Sequence, residues 1–201
     1  ATVVATHLSQ VLTKSAHELL GHEEVQQLLD RLAAQAPKLV ENLTPKVLPL
    51  GTVLRVLRNL LQEGVPIRDL RTIAESLAEH GARSQDPDVL TALVRVAIGR
   101  GIVQEIFGMA AELALMTLDP DLERLLLKAV QGGDGAMGLE PGLAERLRGL
   151  LADAAQRQEL LGQPAVLVAP NALRLWLARF VRHLAVDLKV LAYEELPENR
   201  Q

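Results

Sequence analysis

The stretch Leu113-Ala-Leu-Met-Thr-Leu118-Asp119-Pro120 decides the fold, because the hydrophobic period of the chain changes there. Leu113 to Leu118 is a short apolar run, and Asp119-Pro120 closes it with a helix cap followed by proline in the first turn. Such a run reads as a buried strand feeding a helix. That helix places Leu122, Leu125, Leu126 and Val130 inward. The segment Gln131 to Gly138 then carries four glycines before a long helix from about Pro141 to Leu161. Ala165 to Val168 is the second strand, Asn171 to Leu184 a helix with Leu173, Leu177 and Phe180 inward, and Leu188 to Tyr193 the third strand. The order strand, helix, helix, strand, helix, strand suits a small α/β unit of two or three layers around a largely parallel sheet.

Upstream of Gly108 the pattern is helical at every step. Val4, Leu8, Val11, Leu12, Leu19 and Leu20 recur at helical spacing until Gly21 stops them. Val25, Leu28, Leu29 and Leu32 share one face of a second helix that ends before Pro37, and a short segment around Leu39 and Leu43 precedes Pro45. Val53, Leu54, Leu57, Leu60 and Leu61 form the next stripe, closed by Gly64, with Pro66 as a restart marker. Ile67, Leu70, Ile73, Ala74 and Leu77 make a helix ending at Gly81, and Asp86-Pro87 caps a last helix that runs from Val89 to Ile106. The fold class expected is therefore α+β and mostly helical, a helical module followed by a small α/β module with a three-stranded sheet, the boundary near residue 110.

Composition narrows the chemistry. The 201 residues include 41 leucines, about one in five, and only four aromatics (Phe107, Trp176, Phe180, Tyr193), which points to helix packing and away from stacking of bases or sugars. There is no cysteine, so no disulfide, thiolate nucleophile or Cys-ligated zinc. Lys and Arg number 21 against 25 Asp and Glu, with no basic arm in either half. The longest uncharged stretch, Leu160 to Leu173, contains Pro164 and Pro170 and is shorter than the roughly 20 residues of a spanning helix. Ala1 to Val4 runs straight into an apolar repeat with no initiator Met or polar leader, as expected of a piece of a longer protein.

Reactive constellations are absent or weak. Gly133, Gly135 and Gly138 fit G-x-G-x-x-G, yet they follow a helix instead of a strand and read as an interhelical loop. Thr52 to Gly81, with its turn Gly64-Val-Pro-Ile67, resembles a helix-turn-helix unit, and a DNA-binding regulator is the alternative it raises. Its second helix carries Asp69, Glu75 and Glu79 beside Arg68 and Arg71, a mixed-sign face that offers phosphates no net attraction. Four serines (Ser9, Ser15, Ser76, Ser84) stand outside any nucleophile motif. His7 and His17 lie about 80° apart in azimuth and about three turns apart on one helix, too far to share a metal. No catalytic, cofactor or metal site is expected, and the chain does not read as an enzyme.

Three runs resemble the cytosolic domain of the flagellar type III export-gate family, and more distantly its injectisome relatives. They are Ala1-Thr-Val-Val-Ala-Thr-His-Leu8 continuing through Gly21-His-Glu-Glu-Val-Gln-Gln-Leu-Leu-Asp-Arg31; Leu57 to Glu79 with Val65-Pro-Ile-Arg-Asp-Leu-Arg-Thr-Ile73; and Ser84-Gln-Asp-Pro87 with Leu90-Thr-Ala-Leu-Val-Arg-Val-Ala-Ile-Gly-Arg100. The likeness continues through Leu118-Asp-Pro120, Leu139-Glu-Pro-Gly142, Gln156-Arg-Gln-Glu159 and Val190-Leu-Ala-Tyr-Glu-Glu195. The Ser-Gln-Asp-Pro run favours the flagellar branch over an injectisome homologue.

The resemblance implies a membrane region followed by four cytosolic subdomains, of which this chain would hold the third (22–110) and fourth (111–201), residues 1–21 being a helix leading in from upstream subdomains. It implies a non-enzymatic platform at the cytoplasmic face of the bacterial inner membrane. That platform docks export chaperones with their cargo, meets other export-apparatus proteins and assembles into a nine-membered ring, with no nucleic-acid partner and membrane contact only through the region not in this chain. The matching segments suggest Val3 and Thr6 in the chaperone-docking dimple and Pro66 near the same groove.

Overall fold

The computed structural model describes residues 15–110, 112–131, 139–184 and 186–197. Val3, Thr6, His7 and the glycine run Gly133 to Gly138 lie outside the described residues. The chain divides into two compact units, Ala1–Ile102 and Val103–Gln201.

The first unit is helical. After a helical segment at residues 15–19 come α1 (His22–Ala33), α2 (Pro37–Glu41), a wide turn over Asn42–Val47, α3 (Leu50–Gln62), α4 (Leu70–His80), α5 (Pro87–Ala97) and the start of α6 (Gly99–Phe107). The apolar stripes read from the sequence are the buried faces: Val25, Leu29 and Leu32 of α1; Val53, Leu54, Leu57 and Leu60 of α3; Ile73, Ala74 and Leu77 of α4. Each such leucine contributes about 1.5–3 kcal/mol by leaving water. Helix α3 packs on α5 and on α1, and α4 packs on α5. Asp86 caps α5 as expected, its carboxylate accepting from the Asp88 N–H at 2.8 Å, with Pro87 at the first position.

The expected single helix from Val89 to Ile106 is two. Ile98, with φ −98° and ψ 11°, leaves the helical region between α5 and α6. Gly99 and Gly101 on either side of the restart have low helix propensity and do not carry the helix across.

The second unit is a three-stranded parallel sheet in the order β1 (Met116–Thr117), β2 (Ala165–Ala169), β3 (Leu188–Ala192), with α7 (Pro120–Gln131), α8 (Pro141–Leu160) and α9 (Asn171–Val181) between strands and a 3₁₀ turn over Tyr193–Glu195. Leu167 of β2 faces Met116 on one side and Val190 on the other. Ala165, Leu167 and Ala169 share a core with Leu126 of α7, Leu147, Leu151 and Ala155 of α8, and Leu173, Leu177 and Val181 of α9. All three helices therefore cover one face, because the odd positions of β2 lie on one side of the pleat.

The expected strand Leu113–Leu118 shortens to Met116–Thr117. Extending the observed register toward the N-terminus would set Leu113 opposite Pro164, which has no N–H for the ladder. Leu125, read as inward, is 47% exposed, while Leu126 is fully buried and Leu122 and Val130 pack around it. Phe180 is half-buried and stacks on Trp176 with ring centroids 5.0 Å apart.

Candidate functional site

The predicted site residue that the structure describes, Pro66, follows the end of α3. Gly64 has φ +71°, a conformation that glycine adopts without cost. Its N–H donates to the Leu61 carbonyl at 2.9 Å, and the Val65 N–H donates to the Leu60 carbonyl at 2.9 Å. These two bonds form the helix-ending motif that satisfies the last carbonyls of α3. Val65 is then 5% exposed and plugs the core, while Pro66 and Ile67 are half-buried. Asp69 restarts the helix, its carboxylate accepting from the Thr72 N–H at 3.2 Å. The turn is thus fastened at both ends, with Pro66 and Ile67 between.

A polar ladder joins α3 to α5 behind this turn. The Asn59 side-chain amide donates to Asp88 Oδ1 at 3.3 Å and to the Thr91 hydroxyl at 3.1 Å, and that hydroxyl donates to the Pro87 carbonyl at 2.6 Å. One helical turn further on, Arg95 Nη1 donates to Glu63 Oε2 at 3.1 Å, the two side chains being 2% and 12% exposed. Asn59 and Glu63 stand four apart on α3; Asp88, Thr91 and Arg95 follow three and four apart on α5, so both sets share facing sides. Sequence reading passed over these residues. Their signal was Thr91 and Arg95 lying next to the buried Leu90 and Val94, on the apolar side of α5.

Beside the ladder lies a cleft of about 370 Å³ between Arg55 and Arg58 of α3 and Asp86 and Asp88 at the start of α5, with His17 at its edge. Arg58 Nε donates to the Leu20 carbonyl at 2.8 Å, tying the incoming segment to α3. Charges of both signs line it, so it attracts no simple anion or cation. The outer side of α4 is mixed in the same way: Arg71 pairs with Glu75 at 2.9 Å and Asp69 is spent on the cap. A DNA-reading helix needs free donors on that side.

In the second unit, Arg174 of α9 and Glu195 of the 3₁₀ turn are each 1% exposed in their side chains, with Nε and Oε1 3.8 Å apart. They stand just beyond the carboxyl ends of β2 and β3, the place where α/β sheets build ligand sites. A buried ion pair fills that place here. Among the described residues no three His, Asp or Glu side chains gather as a metal site, and no helix is long and apolar enough to cross a membrane.

The model of the FHIPEP family matches residues 1–201. The chain belongs to the FHIPEP family. It is 53% identical over 200 residues to the flagellar biosynthesis protein FlhA of Escherichia coli (strain K12), covering 100% of this chain and 28% of that protein. The FHIPEP chain therefore spans a little over a quarter of the length of such relatives. Among solved structures, it superposes on the Chlamydia pneumoniae CdsV and CdsO protein complex with a TM-score of 0.86 at 26% identity, over 100% of this chain and 58% of that one. Nonameric EPEC SctV-C has the same fold, with a TM-score of 0.86 at 23% identity over 98% of this chain and 59% of that one.

Proposed function

We propose that this FHIPEP chain is part of the cytosolic docking platform of a flagellar type III secretion export gate. It binds export chaperones loaded with cargo and assists their ordered export, without catalysing a reaction. The observation that carries this reading is the family match over residues 1–201, with 53% identity to a flagellar biosynthesis protein of which this chain covers 28%. The geometry agrees: a docking site needs an apolar element held still on a rigid scaffold, and the Val65-Pro66-Ile67 turn has that form. Val3, Thr6 and Pro66 are the docking residues in this reading. The platform works at the cytoplasmic face of the bacterial inner membrane, the membrane region lying outside this chain.

Assembly into a ring belongs to the same proposal, supported by the nonameric state of SctV-C, a protein of this fold. The complex of CdsV with CdsO supports contact with further export-apparatus proteins. Head-to-tail contacts that close on themselves build such rings.

The test is a titration of the complete cytosolic domain against a flagellar chaperone carrying filament-type cargo. Thr6→Met, Val3→Asp and Pro66→Asp are each expected to weaken binding at least tenfold while leaving the circular dichroism spectrum unchanged. Wild-type affinity in all three would defeat the docking assignment.

A further inference from the structure

Glu63 is in the wrong place for its charge. It stands at the C-cap of α3, where the unpaired carbonyls already gather partial negative charge, and it is largely withdrawn from water. Arg95, more deeply buried still, reaches from α5 to hold it. Two charges taken out of water cost about as much as their attraction returns, and a well-packed apolar pair would close the same gap as well or better. Stability therefore does not account for the pair.

Geometry does. Glu63 is the residue before Gly64, Val65 and Pro66, so a bond to it fixes where the turn leaves α3. The Asn59 bonds to Asp88 and Thr91, one turn earlier, hold α3 against rotation relative to α5. Pro66 has no N–H and cannot fasten itself through its own backbone donor. Its place is inherited from the residues on either side, the Asp69 cap after it and the end of α3 before it, and Arg95 secures the nearest charged residue on the α3 side.

We propose that Arg95 is a positioning residue for partner docking: it touches no partner, and by holding Glu63 it sets where Val65-Pro66-Ile67 stands. This rests on the reading of Pro66 as a docking residue. With the hold removed, the turn keeps its own backbone bonds but the α3 end that carries it gains freedom, which a partner must take away on binding, and affinity falls about tenfold, the size that ordering one backbone residue carries.

The experiment uses the full-length parent protein in lipid nanodiscs, titrated with a flagellar chaperone carrying filament-type cargo. The variants are Pro66→Asp, Arg95→Met, Arg95→Met with Glu63→Gln, and Arg95→Lys. Arg95→Met lowers the urea midpoint because Glu63 loses the Arg95 guanidinium that faces it; adding Glu63→Gln restores it. Binding stays about tenfold weaker in both, and the Val65 amide exchanges about tenfold faster. Arg95→Lys keeps the charge without the planar fork, keeps the midpoint, and binds between wild type and the double variant.

A purely structural role would make affinity recover with stability in the double variant, and wild-type affinity there and in Arg95→Lys overturns the proposal. Should either charge-altered variant fail to fold, Arg95→Lys decides alone: wild-type affinity and wild-type Val65 exchange overturn it. If Pro66→Asp loses binding while the Arg95 variants keep it, only the positioning role falls. If Pro66→Asp binds like wild type, the reading of Pro66 as a docking residue falls, and the positioning role with it.

Discussion

Replacing Gly81 by alanine separates two reasons for a glycine at the end of α4. Its φ of −62° and ψ of −26° are ordinary right-handed helical values, so alanine fits the backbone and, by restricting the unfolded chain, would stabilise by about 0.4–1 kcal/mol. Space argues the other way. A Cβ there would stand 2.6 Å from Val47 Cγ1, 2.8 Å from Leu48 Cγ and 2.7 Å from the Leu77 carbonyl oxygen. Leu48 is fully buried, and the Leu77 carbonyl already accepts the Gly81 N–H at 2.8 Å, so neither retreats without losing something. Overpacking of this kind costs about 1–3 kcal/mol, which at the middle of both ranges leaves a net loss of about 1.3 kcal/mol. With a urea slope of about 2 kcal/mol/M the midpoint drops by about 0.65 M. Circular dichroism at 222 nm follows the helices. Emission from Trp176, the single tryptophan, follows the second unit, so a shift in ellipticity that exceeds the shift in emission places the damage in the first. An unchanged or raised midpoint by ellipticity would refute the packing argument.

Two further substitutions address the elements around the Val65-Pro66-Ile67 turn. Gly64→Ala puts a side chain on a residue at φ +71° and should cost about 1–2 kcal/mol, Gly64→Asn less because asparagine tolerates that region; urea midpoints in the reverse order would contradict the backbone reading. Arg71→Ala removes one partner of an exposed i,i+4 pair and should change stability by no more than about 0.5 kcal/mol, a difference that fades in 1 M salt; a salt-insensitive loss above 1 kcal/mol would mean the pair is not merely a surface one.

The helical stripes and the three parallel strands were legible because burial of one face imposes a period, and Val25 to Leu32 or Val53 to Leu60 keep it without interruption. Strand and helix ends were less so. One limit on β1, the Pro164 that would face Leu113 from about fifty residues away in sequence, is visible only once the register is known. The break at Ile98 was written in Gly99 and Gly101, yet Val94, Ile98 and Ile102 continue the stripe across it, so the apolar pattern concealed what the glycines announced.

The site divides along the same line. Pro66 announces a turn by its own chemistry, and Gly64 announces the conformation that precedes it. What makes the turn a fixed object is supplied by polar side chains whose value appears only in pairs. Asn59 and Glu63 alone look like the solvated edge of an amphipathic helix, and Thr91 and Arg95 alone look like interruptions of another. Packing α3 on α5 turns the four into one ladder, 3.1 Å at each of its two rungs, and buries the charge that the sequence presents as ordinary surface. An apolar seam would hold the two helices together as firmly, yet the burial that drives it is non-directional. Hydrogen bonds are not, because their strength falls steeply with angle. The ladder therefore fixes the register of α3 on α5, and in the proposed docking role that register is what would let a half-buried Pro66 meet a partner in one position instead of many.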